Sequence, residues 1–204
     1  MAGCPRWRHY RQGVRVVAGS ARGRRLEAPR GTSTRPTTDR VREALFNALA
    51  SRGLVEGITV LDLFAGSGAL GIEALSRGAD EVVFVERDRS AMAVVRANLA
   101  ATGLQDRARL VSSSVEAWLG SPEATGRTFD VAFCDPPYVF DAWEDLLARI
   151  PAELVVIESD RPVEVGGWEV SRQRRYGTTF MMFAEPSVGR PGRPAPSAQA
   201  SELP

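Results

Sequence analysis

Between residues 58 and 158 the chain alternates between two hydrophobic patterns. Short, nearly continuous apolar runs fall at Ile58–Phe64, Glu81–Glu86, Ala108–Ser112, Phe129–Cys134 and Glu153–Glu158. Their length and their content of Val, Leu, Ile and Phe predict buried strands. The intervening segments space their apolar residues by three and four and predict helices. These are Ala69–Arg77 stopped at Gly78, Ser90–Thr102 stopped at Gly103, a short helix near Glu116–Leu119, and Asp141–Ile150. Asp141 and Glu144 supply the last of them with a capping pair. Strand–helix alternation requires a mostly parallel sheet with helices on both faces. Trp168–Arg175 and Thr178–Glu185 are separated only by a turn at Tyr176-Gly177. Two strands without a helix between them predict an antiparallel hairpin at the sheet edge, bringing the total to seven.

A different pattern precedes residue 58. Val14–Ala18 and Arg24–Ala28 flank the turn-rich Gly19–Gly23, which reads as a β-hairpin with a basic tip. A loop follows, and Thr38 or Asp39 caps a helix through Ala50, with Gly53 past its end. Val41, Ala44, Leu45, Ala48 and Leu49 form its apolar face. The expected organisation is a disordered basic lead-in over 1–13, a hairpin-and-helix extension over 14–53, the α/β catalytic domain over 54–186, and a disordered tail over 187–204. That tail is rich in Pro, Ser, Ala and Gly.

Composition narrows the class. The chain has 204 residues, 44% hydrophobic and 25% charged, ordinary for a globular protein. No run of about 18 apolar residues exists, so no membrane span is expected. The basic start lacks a following apolar stretch and is not a secretory signal. Cys4 in the lead-in and Cys134 in a buried strand are not expected to pair, which favours a reducing cytoplasm. No His/Cys/Asp/Glu cluster has metal-ligand spacing, and His9 reads as solvated. The net charge of +1 conceals an asymmetry: residues 1–52 hold twelve Arg against Glu27, Asp39 and Glu43, a net of +9, leaving −8 on the remainder. Every basic residue is Arg; there is no Lys. Arg forks pair with phosphate and stack on bases, so Arg15, Arg22, Arg24, Arg25 and Arg40 are candidate nucleic-acid contacts. Trp7 and Tyr10, among Arg6, Arg8 and Arg11, could stack on unpaired bases.

Two motifs carry chemistry. Gly66-Ser67-Gly68-Ala69-Leu70-Gly71 follows a strand and opens a helix, the context of a nucleotide-like cofactor turn. Glu86, twenty residues after Gly66, closes the second strand, where an acid can accept ribose hydroxyls. Up to this point the pattern suits both a dinucleotide and S-adenosylmethionine. Asp62 favours the second: a carboxylate just before the turn repels a pyrophosphate but can serve a cationic ammonium. Phe64, Ala65, Arg87 and Ser114 complete the cofactor set, although Ser114 could equally be a helix cap. The second motif, Asp135-Pro136-Pro137-Tyr138, ends the fourth strand. Asp135 and the Pro136 carbonyl can accept both N–H groups of an exocyclic amine and favour the tetrahedral nitrogen needed for attack. Pro136 and Pro137 stiffen the segment and leave no competing amide donor. Tyr138 can stack on the base, which must be unpaired or flipped out to enter. Together the motifs point to methyl transfer from S-adenosylmethionine to an amino nitrogen of a nucleic-acid base. A cytosine-carbon enzyme needs a loop cysteine nucleophile, which neither cysteine provides.

From about Val14 to Glu185 the chain resembles the RsmD-type bacterial methyltransferases, which modify a guanine N2 in 16S ribosomal RNA. The resemblance rests on Arg15–Gly19 with Arg22–Arg24, on Arg35–Asn47, on Asp62–Gly68 and on Asp135–Tyr138, the Arg35–Asn47 string being the most specific. It implies a Rossmann-like class I methyltransferase fold with S-adenosylmethionine as cofactor and ribosomal RNA as partner, in an assembled or assembling small subunit. It also implies that the N-terminal loop and helix cover the cofactor pocket, with Arg35 and Thr37 near cofactor or base. A monomer in the cytoplasm is expected. The rival readings are an adenine-N6 DNA methyltransferase, a dinucleotide-dependent oxidoreductase and a non-enzymatic ribosome-binding protein.

Overall fold

The structure is a computed structural model that describes residues 14–29 and 38–187. The expected lead-in and tail, and the candidate cofactor residues Arg35 and Thr37, therefore lie outside the described residues, Ser187 apart. The element order is α1 (Asp39–Ala50), β1 (Thr59–Leu63), α2 (Ala69–Ser76), β2 (Glu81–Glu86), α3 (Arg89–Thr102), β3 (Ala108–Ser112), α4 (Val115–Leu119), α5 (Pro122–Thr125), β4 (Phe129–Cys134), α6 (Trp143–Arg149), β5 (Ala152–Ser159), β6 (Trp168–Tyr176) and β7 (Thr179–Pro186). One seven-stranded sheet runs in the order β3-β2-β1-β4-β5-β7-β6. The first five strands pair in parallel. β7 pairs antiparallel with both β5 and β6, so the hairpin enters the sheet through its second strand.

Strand alternation divides the core in two. Val60, Val82, Phe84, Val131, Phe133, Val156 and Phe183 face α1, α2, α3 and the N-terminal segment. Leu61, Val83, Ala132, Val155 and Met182 face α4, α5 and α6. Both layers are covered, which is why the central strands β1, β2, β4 and β5 are mostly apolar and buried. None of the helices among the described residues is long and apolar enough to cross a membrane.

The structure departs from the sequence pattern in three places. Asp141 and Glu144 do not cap α6. That helix begins at Trp143 after Ala142, without a side-chain cap, because Trp143 is buried edge-on against Phe140 at 5.2 Å. A short helix, α5, opens at Pro122 behind Ser121, whose hydroxyl accepts from the Ala124 amide. The sequence reading passed over its single turn. The N-terminal hairpin is reduced to one antiparallel bridge, Arg15 to Arg25. Its tip docks rather than projecting: the Ser20 amide donates to the Ser76 carbonyl at 2.7 Å. A Cβ on Gly19, whose φ is +82°, would come 1.8 Å from that carbonyl oxygen.

Glu73 explains the docking. It is fully buried in α2 and accepts from the Val17 amide at 2.7 Å, the Ala18 amide at 3.0 Å and Arg77 Nε at 2.7 Å. Removing a buried, paired carboxylate strands its partners at a cost of about 3 kcal/mol. Glu73→Ala is therefore expected to lower unfolding stability in urea by about that amount. It should also expose the 14–28 segment to limited proteolysis before the rest of the chain.

Candidate active site

The candidate residues gather at the carboxyl ends of the parallel strands, where open α/β sheets place their ligands. After β1 the backbone turns sharply. Phe64 adopts φ 59°, unusual for a residue with a side chain, and Gly66 and Gly68 follow at 55° and 75°. A bulky residue held there stores about 1–3 kcal/mol of strain, compensated by its surroundings. Phe64 packs edge-on against Phe140 at 5.6 Å. Gly68 is the N-cap of α2. Gly71 lies so close to the strands that a Cβ would meet the Phe84 ring at 2.3 Å and Asp62 Oδ2 at 2.9 Å. The third glycine of the motif thus serves helix–sheet packing.

Asp62 is 3% exposed, and its Oδ2 accepts the Gly71 amide at 2.9 Å. Burial pushes its pKa up to about 7; the Gly71 hydrogen bond opposes this and the Glu86 charge adds to it. Glu86 uses one carboxylate oxygen for the Gly66 amide at 3.0 Å and the other for the Asp88 amide at 2.8 Å. It braces the glycine turn while keeping further lone pairs for a ligand. Ala65 is buried beneath the turn, and its amide donates to Val85 O. Arg87 is exposed beside it. Ser114 caps α4, its hydroxyl accepting the Ala117 amide at 3.2 Å.

β4 delivers Asp135 next to β1 and β5. The register pairs Phe133 with Asp62, and Cys134 with Ile157, one residue before Glu158. Burial raises the Asp135 pKa well above the usual carboxylate range, and the Glu158 and Asp62 charges raise it further. Pro136 is buried, whereas Pro137 and Tyr138 are exposed, Tyr138 by 40%. The shelf therefore presents its aromatic to solvent beside an acidic floor in which Asp62 is buried and Asp135 is half-buried. The Cys134 thiol is buried, and burial followed by Asp135 and Asp62 pushes its pKa up. Such a thiol is a poor nucleophile.

Sequence reasoning missed three supports. Glu158, 6% exposed, is the third carboxylate of this floor; an acid ending an apolar strand was its only signal. Arg161 Nη2 donates to the Phe140 carbonyl at 2.9 Å and Nη1 to the Tyr138 carbonyl at 3.2 Å, clamping the shelf from the β5 side. Asn98, 1% exposed, donates to Ser67 O at 2.9 Å and Glu27 O at 3.0 Å and accepts the Glu27 amide at 2.8 Å. It ties the N-terminal segment to the glycine turn, and sequence spacing gives no sign of it.

Of the candidate nucleic-acid contacts, Arg22, Arg24, Arg25 and Arg40 are exposed. Arg15 is exposed too but pairs with Asp39 at 2.8 Å, and Asp39 also holds the buried Arg42. No group of three His, Cys, Asp or Glu residues among the described residues could hold a metal ion. A groove of about 550 Å³ opens at the amino ends of β2 and β3, lined by Asp80, Arg96 and Arg107 among others. It lies at the wrong end of the strands for this site.

The family model described as Conserved hypothetical protein 95 matches residues 14–185. The chain is 41% identical over 177 residues to the putative rRNA methyltransferase YlbH of Bacillus subtilis, covering 81% of this chain and 95% of that protein. It is 35% identical over 175 residues to the ribosomal RNA small subunit methyltransferase D of Escherichia coli K12, covering 80% and 85%. Among solved structures, a putative methyltransferase from Escherichia coli, yhhF, superposes with a TM-score of 0.74 at 34% identity, over 86% of this chain and 98% of that one.

The buried Asp62 carboxyl has a consequence for stability. Between its ordinary value of 3.8 and its raised value of about 7, the folded state holds a proton that the unfolded state has lost. Stability therefore falls as pH rises through this window. Asp62→Asn keeps an oxygen for the Gly71 amide but cannot ionise. Urea unfolding at pH 5 and pH 8 is expected to show a smaller loss of stability for the variant than for the parent.

Proposed function

The chain belongs to the Conserved hypothetical protein 95 family, and from that premise we propose that it methylates the exocyclic N2 of a guanine in 16S ribosomal RNA, using S-adenosylmethionine. The observation that carries the reading is the Asp135–Tyr138 shelf at the end of β4, set beside Asp62 and the Gly66–Gly68 turn. Relatives that share most of its length bear the names of ribosomal RNA methyltransferases. The substrate we assign is RNA folded within an assembled or assembling small subunit. The catalyst we assign is a cytoplasmic monomer.

The residues present fit the cofactor. Asp62 and Glu86 sit close enough for the charge of one to raise the pKa of the other, a setting that a cationic ammonium relieves. The positive-φ turn at Gly66 and Gly68 lets the backbone approach a ligand without a Cβ in the way. When bound, S-adenosylmethionine supplies a methyl group on a sulfonium, whose thioether leaves uncharged. Phe64, Ala65, Arg87 and Ser114 are assigned to this cofactor, and Arg35 and Thr37, outside the described residues, to the cofactor or base.

The protein prepares the amine. Its lone pair is delocalised into the base, and hydrogen bonds from both N–H groups to Asp135 and the Pro136 carbonyl draw the nitrogen toward a tetrahedral shape. Tyr138 stacks on the ring and holds the nitrogen in line for attack. Asp135 must be ionised to accept well. Its raised pKa means that the accepting form gathers only as pH climbs past the usual carboxylate range.

The test is methyl transfer from labelled S-adenosylmethionine to small ribosomal subunits from cells lacking this protein, to their naked RNA and to unmethylated duplex DNA. N2-methylguanosine in ribosomal RNA alone is the expected product, and methyladenine in DNA would overturn the substrate. Asp135→Ala should lower the rate at least about 100-fold. Asp135→Asn should keep more activity and lose the limb of the pH profile that rises through the raised Asp135 pKa. Arg161→Ala should raise KM for RNA about tenfold by loosening the shelf, with cofactor affinity unchanged. Arg161→Lys should recover only part, because an ammonium lacks the planar fork that holds two carbonyls.

A further inference from the structure

We propose that the tip of the β6–β7 hairpin, from Arg172 to Phe180, is a second RNA-binding surface that holds phosphates flanking the target base. The inference rests on the reading above only for what brings RNA to this face.

Register places the tip. β7 pairs Phe180 with Ser159 and Met181 with Glu158, and β6 pairs Arg175 with Phe180 and Arg174 with Met181. Arg174 and Arg175 thus lie level with the carboxyl end of β5. They are two strand spacings, about 10 Å, from the Glu158–Ser159 backbone and about 15 Å from the Asp135 shelf. Arg174 and Arg175 are exposed, and Arg172 is half-buried. Among the described residues, none of the three enters an ion pair.

Charge changes sign along the hairpin. Its far end pairs Glu169 with Glu185 across the two strands, and Glu185 is held by Arg52 at 2.6 Å. Arg174 and Arg175 fall in the half nearest the shelf, and Arg172 stands at the middle of β6. Charge that merely protected the sheet edge from pairing with other chains could sit anywhere along β6. A gradient rising toward the active site is the pattern of a surface that draws phosphates there.

The arginines are also set in place. The Arg175 guanidinium lies over the Phe180 ring at 5.2 Å, and its Nε donates to Gly177 O at 2.9 Å, leaving both Nη groups to donate outward. Arg174 Nη1 donates to Gln173 O at 3.0 Å, and the Arg172 guanidinium lies over Phe183 at 5.9 Å. A guanidinium held against a ring loses less freedom when it takes a phosphate. Gly177, at φ 65° in the turn, keeps the tip narrow.

The experiment measures binding of naked 16S ribosomal RNA by the full chain over a salt series. The parent, R174Q/R175Q and the far-end control E169Q are compared, with S-adenosylmethionine affinity and thermal unfolding recorded for each. Loss of two phosphate contacts should weaken R174Q/R175Q about tenfold and flatten the slope of log K against log salt by about 1.4. Cofactor affinity, unfolding and the E169Q slope should stay at parent values. Unchanged RNA affinity and slope in R174Q/R175Q overturn the proposal, as does a parent that binds no RNA. Methyl transfer on the same samples separates the two claims. A parent that methylates while R174Q/R175Q binds normally sinks only the hairpin. A parent that binds RNA through the hairpin arginines without methylating it sinks only the N2-guanine reading.

Discussion

Parallel pairing of β1, β4 and β5 forces acidic side chains together at one end of the sheet. Asp62 is paired with Phe133, Asp135 follows Cys134, and Glu158 follows the Ile157 that pairs with Cys134. Asp62 and Glu158 are buried, and Asp135 is half-buried. Loss of water around these carboxylates, and secondarily the neighbouring like charges, raises the pKa of both Asp62 and Asp135. The rest of the site follows from this constraint. A pocket with this floor favours ligands that bring positive charge or N–H donors, and a cationic cofactor with an amine substrate brings both.

The surrounding structure holds the floor steady. Gly71 allows α2 to lie against Phe84 and to present its backbone amide to Asp62. Glu86 spans from the glycine turn to the start of α3, where Asp88 caps the helix by accepting the Ser90 and Ala91 amides. Arg161 holds the far side of the shelf, while Phe64, Phe140 and Trp143 pack edge to face beneath it. These contacts come from four different strand ends, so the precision of the site depends on the sheet as a whole.

The N-terminal segment is part of the same framework. Glu73 and Ser76 of α2 anchor its first half, and Asn98 of α3 anchors Glu27 together with Ser67 of the glycine turn. Arg22, Arg24 and Arg25 are thereby carried on a segment linked through Asn98 to the glycine turn. Contacts made by those arginines act on a braced element, which links the basic extension to the carboxyl ends of the strands through hydrogen bonds a few ångströms long.

Much of this was legible in the chain. The alternation of apolar runs and helical spacings fixes a three-layer α/β fold, because a strand with no polar face must be covered on both sides. Two strands separated by Tyr176-Gly177 require an antiparallel hairpin. The glycine turn and the Asp135–Tyr138 string are local, since turn geometry and the chemistry of a rigid shelf are properties of consecutive residues. Other features needed tertiary structure. That β7 lies inside β6, that Glu158 joins Asp62 and Asp135, and that Arg161 reaches Tyr138 and Phe140 are all outcomes of strand order. So is the placement of Arg174 and Arg175 level with the carboxyl end of β5. The capping pair at Asp141 and Glu144 was locally sound, yet burial of Trp143 against Phe140 set the helix start instead. The sequence by itself determined the layers, the turn and the shelf, because these depend on neighbours along the chain. Only the tertiary structure decided which distant carboxylates, amides and guanidinium groups meet, because register and burial are set by packing across the whole sheet.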